Sequence, residues 1–179
     1  MVGNTFKISE ENLVKLEELL KDTPIILSDE PQHKQELKEI YKLIPALKPN
    51  TNDSHILPHI GKNYSVIRYY TKKNKKLNDY FRFLFNNKNL ELFVISEVTY
   101  VPGGFALQHK DPDSKMTYNV MLDDGFDGGE VHLEGVLQDF KKRGDVVFFD
   151  GGKKYHSVSK ITKGKRKILS IWTIPTNLM

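Results

Sequence analysis

The chain has 179 residues and a mass of 20.7 kDa, which fits a single domain spanning residues 1–179. It contains no cysteine, and this excludes disulfides, thiolate metal sites, iron–sulfur clusters and cysteine nucleophiles. Any metal site must therefore use His, Asp and Glu, and a cytoplasmic location is expected. No apolar run is long enough to span a membrane, and the N-terminal MVGNTFKISEENL lacks the pattern of a secretory signal.

The formal net charge is +4, and only four of the 27 basic residues are arginine: Arg68, Arg82, Arg143 and Arg166. This weak basic balance permits an acidic or nucleic-acid partner without requiring one. Because lysine occurs throughout the chain, an arginine at a particular position is the more informative signal.

Residues 1–61 are predicted to form a helical N-terminal region that supports the rest of the domain. Ser9 is a suitable N-cap for a first helix, because two glutamates follow it and leucines then recur at helical spacing. A second helix is predicted over residues 33–44, where a proline ends the pattern.

Residues 62–179 are predicted to form the core of the domain. Its first part, residues 62–76, is basic and has no acidic residue. Within it YSVIRYY predicts a strand, and KKNKK predicts a loop that is either solvated or in contact with an acidic substrate.

From residue 90 onward, short β-rich runs alternate with Gly- and Asp-containing turn signals. There are eight such runs: LFVISEVTYV, GFALQHKD, TYNVML, EVHLE, VLQDF, DVVFFD, YHSVSKI and RKILSIWTI. Tight connections between many short strands predict an all-β sandwich or jelly roll and not a parallel α/β sheet.

Three side chains in this region predict a metal site. His109 and Asp111 are two residues apart at the end of a predicted strand, so both point to the same face, and His156 lies near the start of a later strand. Two imidazoles and one carboxylate form the facial triad of non-haem Fe(II) oxygenases, which leaves positions open for a cosubstrate and O2. A His-x-Asp pair is common by chance, but Arg166 near the start of the last strand suits a dicarboxylate cosubstrate.

The motifs around this constellation occur in the order found in a known family. They are Tyr100-Val-Pro-Gly-Gly, His109-Lys-Asp111, Thr117-Tyr-Asn119-Val-Met-Leu122, Phe126-Asp-Gly-Gly-Glu130, Lys142-Arg-Gly-Asp145, His156 and Lys163-Gly-Lys-Arg166. Together they make residues 97–174 resemble the 2-oxoglutarate- and Fe(II)-dependent dioxygenases, above all the prolyl 4-hydroxylase and lysyl hydroxylase branch. The resemblance implies a mainly β fold with N-terminal α-helices, whose core is a double-stranded β-helix (a cupin-like jelly roll).

The resemblance also implies roles for individual residues. The iron ligands and catalytic residues would be His109, Asp111 and His156, and the residues that bind the cosubstrate would be Arg166, Tyr100, Asn119 and Thr117. Several prolyl hydroxylases place a cosubstrate-binding tyrosine where this chain has Met121. The hydrogen bonds to the cosubstrate are therefore expected to come from the tyrosine, threonine and asparagine just named.

The implied reaction is hydroxylation of a prolyl or, second, a lysyl side chain of a protein or peptide. It is coupled to decarboxylation of 2-oxoglutarate to succinate and CO2, with Fe(II) as cofactor, O2 as cosubstrate and ascorbate as an optional further cofactor. Two alternatives stay open at this point. One is oxidative demethylation or hydroxylation of nucleic acid, which the basic stretch 62–76 favours slightly, and the other is a non-catalytic cupin-like binding module.

Overall fold

A computed structural model describes residues 3–26, 64–71, 74–111 and 114–175. The predicted helix over residues 33–44 lies outside the described residues. Within the described ranges, no helix has both the length and the apolar character needed to cross a membrane.

Two helices and thirteen strands make up the described part of the chain. The helices are α1 (Glu10–Lys21) and α2 (Lys75–Leu84). The first strands are β1 (Asn4–Lys7), β2 (Ile25–Ile26), β3 (Tyr64–Tyr69), β4 (Leu90–Tyr100), β5 (Ala106–His109) and β6 (Thr117–Met121). The others are β7 (Phe126–Gly128), β8 (Val131–Leu133), β9 (Val136–Leu137), β10 (Asp145–Phe149), β11 (His156–Val158), β12 (Ile161–Gly164) and β13 (Arg166–Pro175).

These strands form a large and a small antiparallel sheet, as predicted for a jelly roll. The seven-stranded major sheet has the order β1-β10-β6-β13-β4-β3-β2, and the four-stranded minor sheet has the order β5-β11-β8-β9. A separate pair, β12 and β7, completes the barrel wall. Strands distant in sequence thus become neighbours, which is why residues around 109 and 156 can meet.

The major sheet separates two hydrophobic cores, because alternate residues of each strand point to opposite faces. One core lies between this sheet and the two helices, and it contains Leu13, Leu16, Phe81, Ile95 and Leu169 among others. The other lies inside the barrel between the sheets. The barrel core contains Val98, Met121, Leu133, Val147 and Ile168 among others.

The first helix follows its sequence signals. The Ser9 hydroxyl accepts a hydrogen bond from the Asn12 backbone N–H at 3.2 Å, which confirms the predicted N-cap. Arg143, from the loop before β10, then fixes this helix to the sheet by bonding Glu10 and Glu17 on one side and the Leu122 carbonyl on the other.

The prediction of a loop over KKNKK is wrong at its last two lysines. Asn74 is the N-cap of α2, accepting a hydrogen bond from the Leu77 N–H at 3.2 Å, so Lys75 and Lys76 form the first turn of that helix. The helix is kept in place by its apolar face, because Leu77 and Phe81 are buried in the outer core. Strand β3 agrees with the strand predicted for YSVIRYY.

Candidate active site

The three predicted metal ligands lie together at one end of the barrel. His109 ends β5 and His156 begins β11, and the two residues are direct partners across these antiparallel strands. Asp111 follows β5 by two residues. Its carboxylate oxygens lie 3.7 Å from His109 Nε2 and 3.3 Å from His156 Nε2. One ligand atom from each residue lies within 4.8 Å of the others, which is a suitable spacing for one metal ion.

Both imidazoles are oriented by their own backbone. His109 Nδ1 is 2.6 Å from the Leu107 carbonyl oxygen, and His156 Nδ1 is 3.0 Å from the Lys154 carbonyl oxygen. A carbonyl accepts a hydrogen bond, so Nδ1 is a donor in each ring and Nε2 faces Asp111 as the atom that can bind a metal. The Phe149 ring packs against the His156 ring at 4.7 Å between centroids and restricts it further.

The carboxylate of Asp111 is held by a hydroxyl group on the major sheet. The Thr117 hydroxyl donates a hydrogen bond to Asp111 Oδ2 at 2.9 Å, and the Ser114 hydroxyl lies 2.9 Å from the same Thr117 oxygen. The Asp111 backbone N–H donates to the Gly151 carbonyl at 2.7 Å. A side chain at position 151 would place its Cβ 2.0 Å from Thr117 Oγ1, so only glycine fits there.

The charges of the triad are coupled. Burial works to raise the pKa of Asp111, but the adjacent His156 and His109, with the Thr117 hydrogen bond, hold that pKa below its ordinary value. Burial works to lower the pKa of His156, and Asp111 outweighs it, so this pKa is raised. The pKa of His109 is lowered, mainly by burial and then by His156. The site thus holds an ionised carboxylate beside two imidazoles whose pKa values are shifted in opposite directions.

Arg166 is the largest side chain that is fully buried, with 0% of its surface exposed. None of its three guanidinium nitrogens has a hydrogen-bond partner among the described residues. Its guanidinium carbon lies 5.3 Å from the centre of the Tyr100 ring and 5.8 Å from that of Phe140. Burial lowers the pKa of Arg166 from its ordinary value to about 10. A buried cation enclosed by aromatic faces, with all its donors free, is a site for an anion.

A cavity lies between the triad and the major sheet. It is lined by the three ligands and by residues whose side chains share the inner face of the sheet: Tyr100, Val98 and Ser96 on β4, Ile168, Ser170 and Trp172 on β13, and Asn119 on β6. Arg166 belongs to the same alternating row of β13, one step beyond Ile168. The cavity therefore leads from the triad towards the residues next to the guanidinium.

The predicted cosubstrate residues other than Arg166 occupy two different environments. Tyr100 and Asn119 line the cavity, and the buried Asn119 Oδ1 has no hydrogen-bond partner among the described residues. Thr117 is fully buried and contacts Asp111 instead of the cavity. Trp172 is buried and also lines the cavity.

Several contributors to the site are absent from the sequence interpretation. Ser114 and Gly151 support Asp111, while Phe140 and Gly129 enclose Arg166. Gly129 has a φ of +67°, and a Cβ there would lie 2.7 Å from Arg166 Cδ. Gly128 also has a positive φ, at +78°, so the two glycines form a turn whose second residue lies against the arginine.

The donor set suits Fe(II) and a dicarboxylate. Neutral imidazoles and a carboxylate on one side of a cation are ligands that iron(II) accepts in oxygenases. The partnerless guanidinium supplies what a remote carboxylate requires, namely a permanent charge with paired donors. The residues present therefore fit both an iron(II) ion and a dicarboxylate.

Known structures share the fold, although no family model and no curated protein matches the sequence. The viral collagen prolyl hydroxylase of Paramecium Bursaria Chlorella virus-1, solved with 2-oxoglutarate, aligns with a TM-score of 0.57 and 14% identity over 97% of this chain and 95% of that one. A prolyl 4-hydroxylase from Pseudomonas putida aligns with a TM-score of 0.50 and 17% identity over 91% and 98%. A 2-oxoglutarate-Fe(II) oxygenase family protein from Burkholderia pseudomallei aligns with a TM-score of 0.49 and 17% identity. That alignment covers 94% of this chain and 93% of the other.

At these identities the alignments with the first two structures establish the fold. The chain shares the β-sheet fold of these two structures, which cover 97% and 91% of its length in the alignments.

Proposed function

We propose that this protein is a 2-oxoglutarate- and Fe(II)-dependent dioxygenase that hydroxylates a side chain of a protein or peptide. The observation that carries the proposal is the pairing of the His109-Asp111-His156 cluster with the buried, partnerless guanidinium of Arg166 along one sheet face. A metal-binding role alone explains the cluster but gives no reason to bury an unpaired cation.

The residues divide the work between metal and cosubstrate. The triad would hold iron(II) through the two Nε2 atoms and the Asp111 carboxylate, and Arg166 would bind the remote carboxylate of 2-oxoglutarate. When bound, the iron supplies the activation of O2 that couples decarboxylation of 2-oxoglutarate to hydroxylation. Asn119 and Tyr100 line the space between the two ends, where they orient the cosubstrate and limit the entry of water.

A prolyl side chain is the favoured target, and a lysyl side chain is the second. The support is that two structures with this fold are named as prolyl hydroxylases. The apolar part of the cavity lining agrees with an uncharged target, because Val66, Ala106, Val158 and Trp172 surround the approach to the triad. O2 is then the second cosubstrate, and ascorbate would serve to restore iron(II).

The test is incubation of the protein with Fe(II), 2-oxoglutarate and libraries of proline- or lysine-containing peptides. We expect a gain in peptide mass equal to one oxygen atom, with one succinate formed per modified peptide. The matched control is Asp111→Ala, which removes one ligand and should abolish both products. Suppose that succinate forms without any modified peptide and that the protein binds oligonucleotides with a steep dependence on salt. The substrate would then be a nucleic acid and not a peptide. If no succinate forms under any condition, the protein is not a dioxygenase, and the non-catalytic binding module is the remaining interpretation.

A further inference from the structure

The hydroxyl of Thr117 lies against the metal cluster and not in the cavity. Thr117 is fully buried in the centre of the major sheet, where Trp172 on β13 and Phe149 on β10 are its strand partners. Its β-branched side chain is restricted in rotation by this packing. The hydroxyl oxygen is therefore held in a fixed position next to the triad, 2.9 Å from Asp111 Oδ2.

We propose that Thr117 is a positioning residue that fixes the orientation of the Asp111 carboxylate for the metal. This inference rests on the proposed iron site and adds a residue that acts through a ligand without touching the metal. It assigns Thr117 a different role from the one implied by the family resemblance, which was contact with 2-oxoglutarate.

Three polar groups of the described part of the chain lie beside the carboxylate of Asp111. They are the imidazoles of His109 and His156, at 3.7 and 3.3 Å, and the Thr117 hydroxyl, which donates to it at 2.9 Å. A metal ion takes the Nε2 atoms of both imidazoles, so neither ring remains able to donate to Asp111. The threonine hydroxyl is then the donor that still restrains the carboxylate, which otherwise rotates about its own Cβ–Cγ bond.

The surroundings of the hydroxyl direct its proton to Asp111. A hydroxyl has one proton, so while Thr117 donates to Asp111 it accepts from Ser114, which is itself 4% exposed. The close approach of Gly151 prevents the hydroxyl from moving away, since any Cβ there would overlap with it. Hydrogen-bond partners of metal ligands typically change metal affinity by about ten- to a hundredfold.

The experiment measures Co(II) affinity by calorimetry and by the visible absorption of the bound ion, alongside thermal unfolding of the metal-free protein. Thr117→Val keeps the shape and removes the hydroxyl. We expect Co(II) binding to weaken about ten- to a hundredfold, with an altered absorption band. Thr117→Ser keeps the hydroxyl and should restore both. Gly151→Ala displaces the hydroxyl from the other side and should resemble the valine variant, whereas Gly125→Ala, which meets nothing within 4 Å, should not.

Thr173→Val is the matched control for burial. Thr173 is 4% exposed, and its hydroxyl bonds the Met116 backbone and none of the three predicted ligands. Both valine variants should lower the unfolding temperature, but only Thr117→Val should weaken Co(II) binding. If the wild type binds Co(II) and Thr117→Val binds it equally well with the same absorption band, the positioning role is overturned. If the wild type binds no Co(II) at all, the proposed iron site itself fails.

Discussion

Replacement of Arg166 by methionine should make the cosubstrate-free protein more stable while it abolishes the response to 2-oxoglutarate. The guanidinium is fully buried, and it has no hydrogen-bond partner among the described residues. Methionine has a similar length, carries no charge and packs against aromatic rings, so it can fill the space between Tyr100 and Phe140.

The size of the effect follows from the pKa of Arg166. Burial lowers that pKa to about 10, which means that folding disfavours the charged form relative to the unfolded chain, although the guanidinium stays charged at neutral pH. The unfavourable contribution to folding is therefore present below about pH 10 and fades as the pH rises through the folded pKa towards the unfolded one. A difference of this size corresponds to about 3 kcal/mol, an upper value for the gain in Arg166→Met.

The assay is urea unfolding at neutral pH, with and without a saturating mixture of Mn(II) and 2-oxoglutarate. For the wild type, ligand at about a hundred times its dissociation constant should add about 2.7 kcal/mol. For Arg166→Met we expect a higher baseline stability and no added stabilisation from 2-oxoglutarate beyond that of the metal alone. The reasoning is refuted if the variant is less stable than the wild type or still gains stability from 2-oxoglutarate.

Arg143→Met is the matched arginine control. Arg143 is satisfied by Glu10, Glu17 and the Leu122 carbonyl, in contrast to Arg166. Its loss should therefore decrease stability by about 1 kcal/mol and leave the response to 2-oxoglutarate unchanged.

The remaining predictions concern glycine, a buried acid and the metal. Gly129→Ala and Gly135→Ala both place a side chain on a backbone with positive φ, at +67° and +79°, but only the new Cβ at position 129 would meet Arg166. Gly129→Ala should therefore weaken 2-oxoglutarate binding about tenfold in titrations, whereas Gly135→Ala should not. Asp145 accepts hydrogen bonds from the Lys141 and Lys142 N–H groups, and these outweigh burial to lower its pKa; its stabilisation is present above its ordinary value of 3.8 and lost as the pH falls below it. Asp145→Asn should therefore be less stable than the wild type in urea at neutral pH, with the difference shrinking at about pH 3; a constant difference would contradict this. Asp111 raises the pKa of His156, and protons compete with the metal for its ring, so Co(II) affinity measured across buffers should fall as the pH is lowered.

Local signals in the sequence were sufficient for much of the fold. The cap at Ser9 and the alternating run of β4 and β13 depend on neighbouring residues, and each of the eight β-rich runs contains a strand. Strand β1 was not predicted, because it is four residues long, mostly exposed and stabilised by pairing with β10. Helix α2 was missed because its lysine-rich start resembles a loop, while its burial depends on contacts with β4 and α1.

The candidate site was predictable where residue type and strand position determine the chemistry. This condition holds for the three predicted ligands. His109 and Asp111 are two residues apart and so lie on one face, and the pairing of β5 with β11 brings His156 opposite His109. Thr117 shows the limit of such reasoning. Alternation gives the face on which a side chain lies but not its neighbour, so contact with Asp111 could not be distinguished from contact with the cavity. The requirement for glycine at position 151 depends likewise on a distance between loops that are far apart in sequence.

The most direct test of the central claim is calorimetric titration of 2-oxoglutarate into the wild-type protein with and without Mn(II). The account predicts one binding site whose affinity depends on the metal, because the triad and Arg166 must hold opposite ends of the same molecule. It also predicts that binding is lost in both Asp111→Ala and Arg166→Met. Binding of equal strength without metal, or in either variant, would contradict the account.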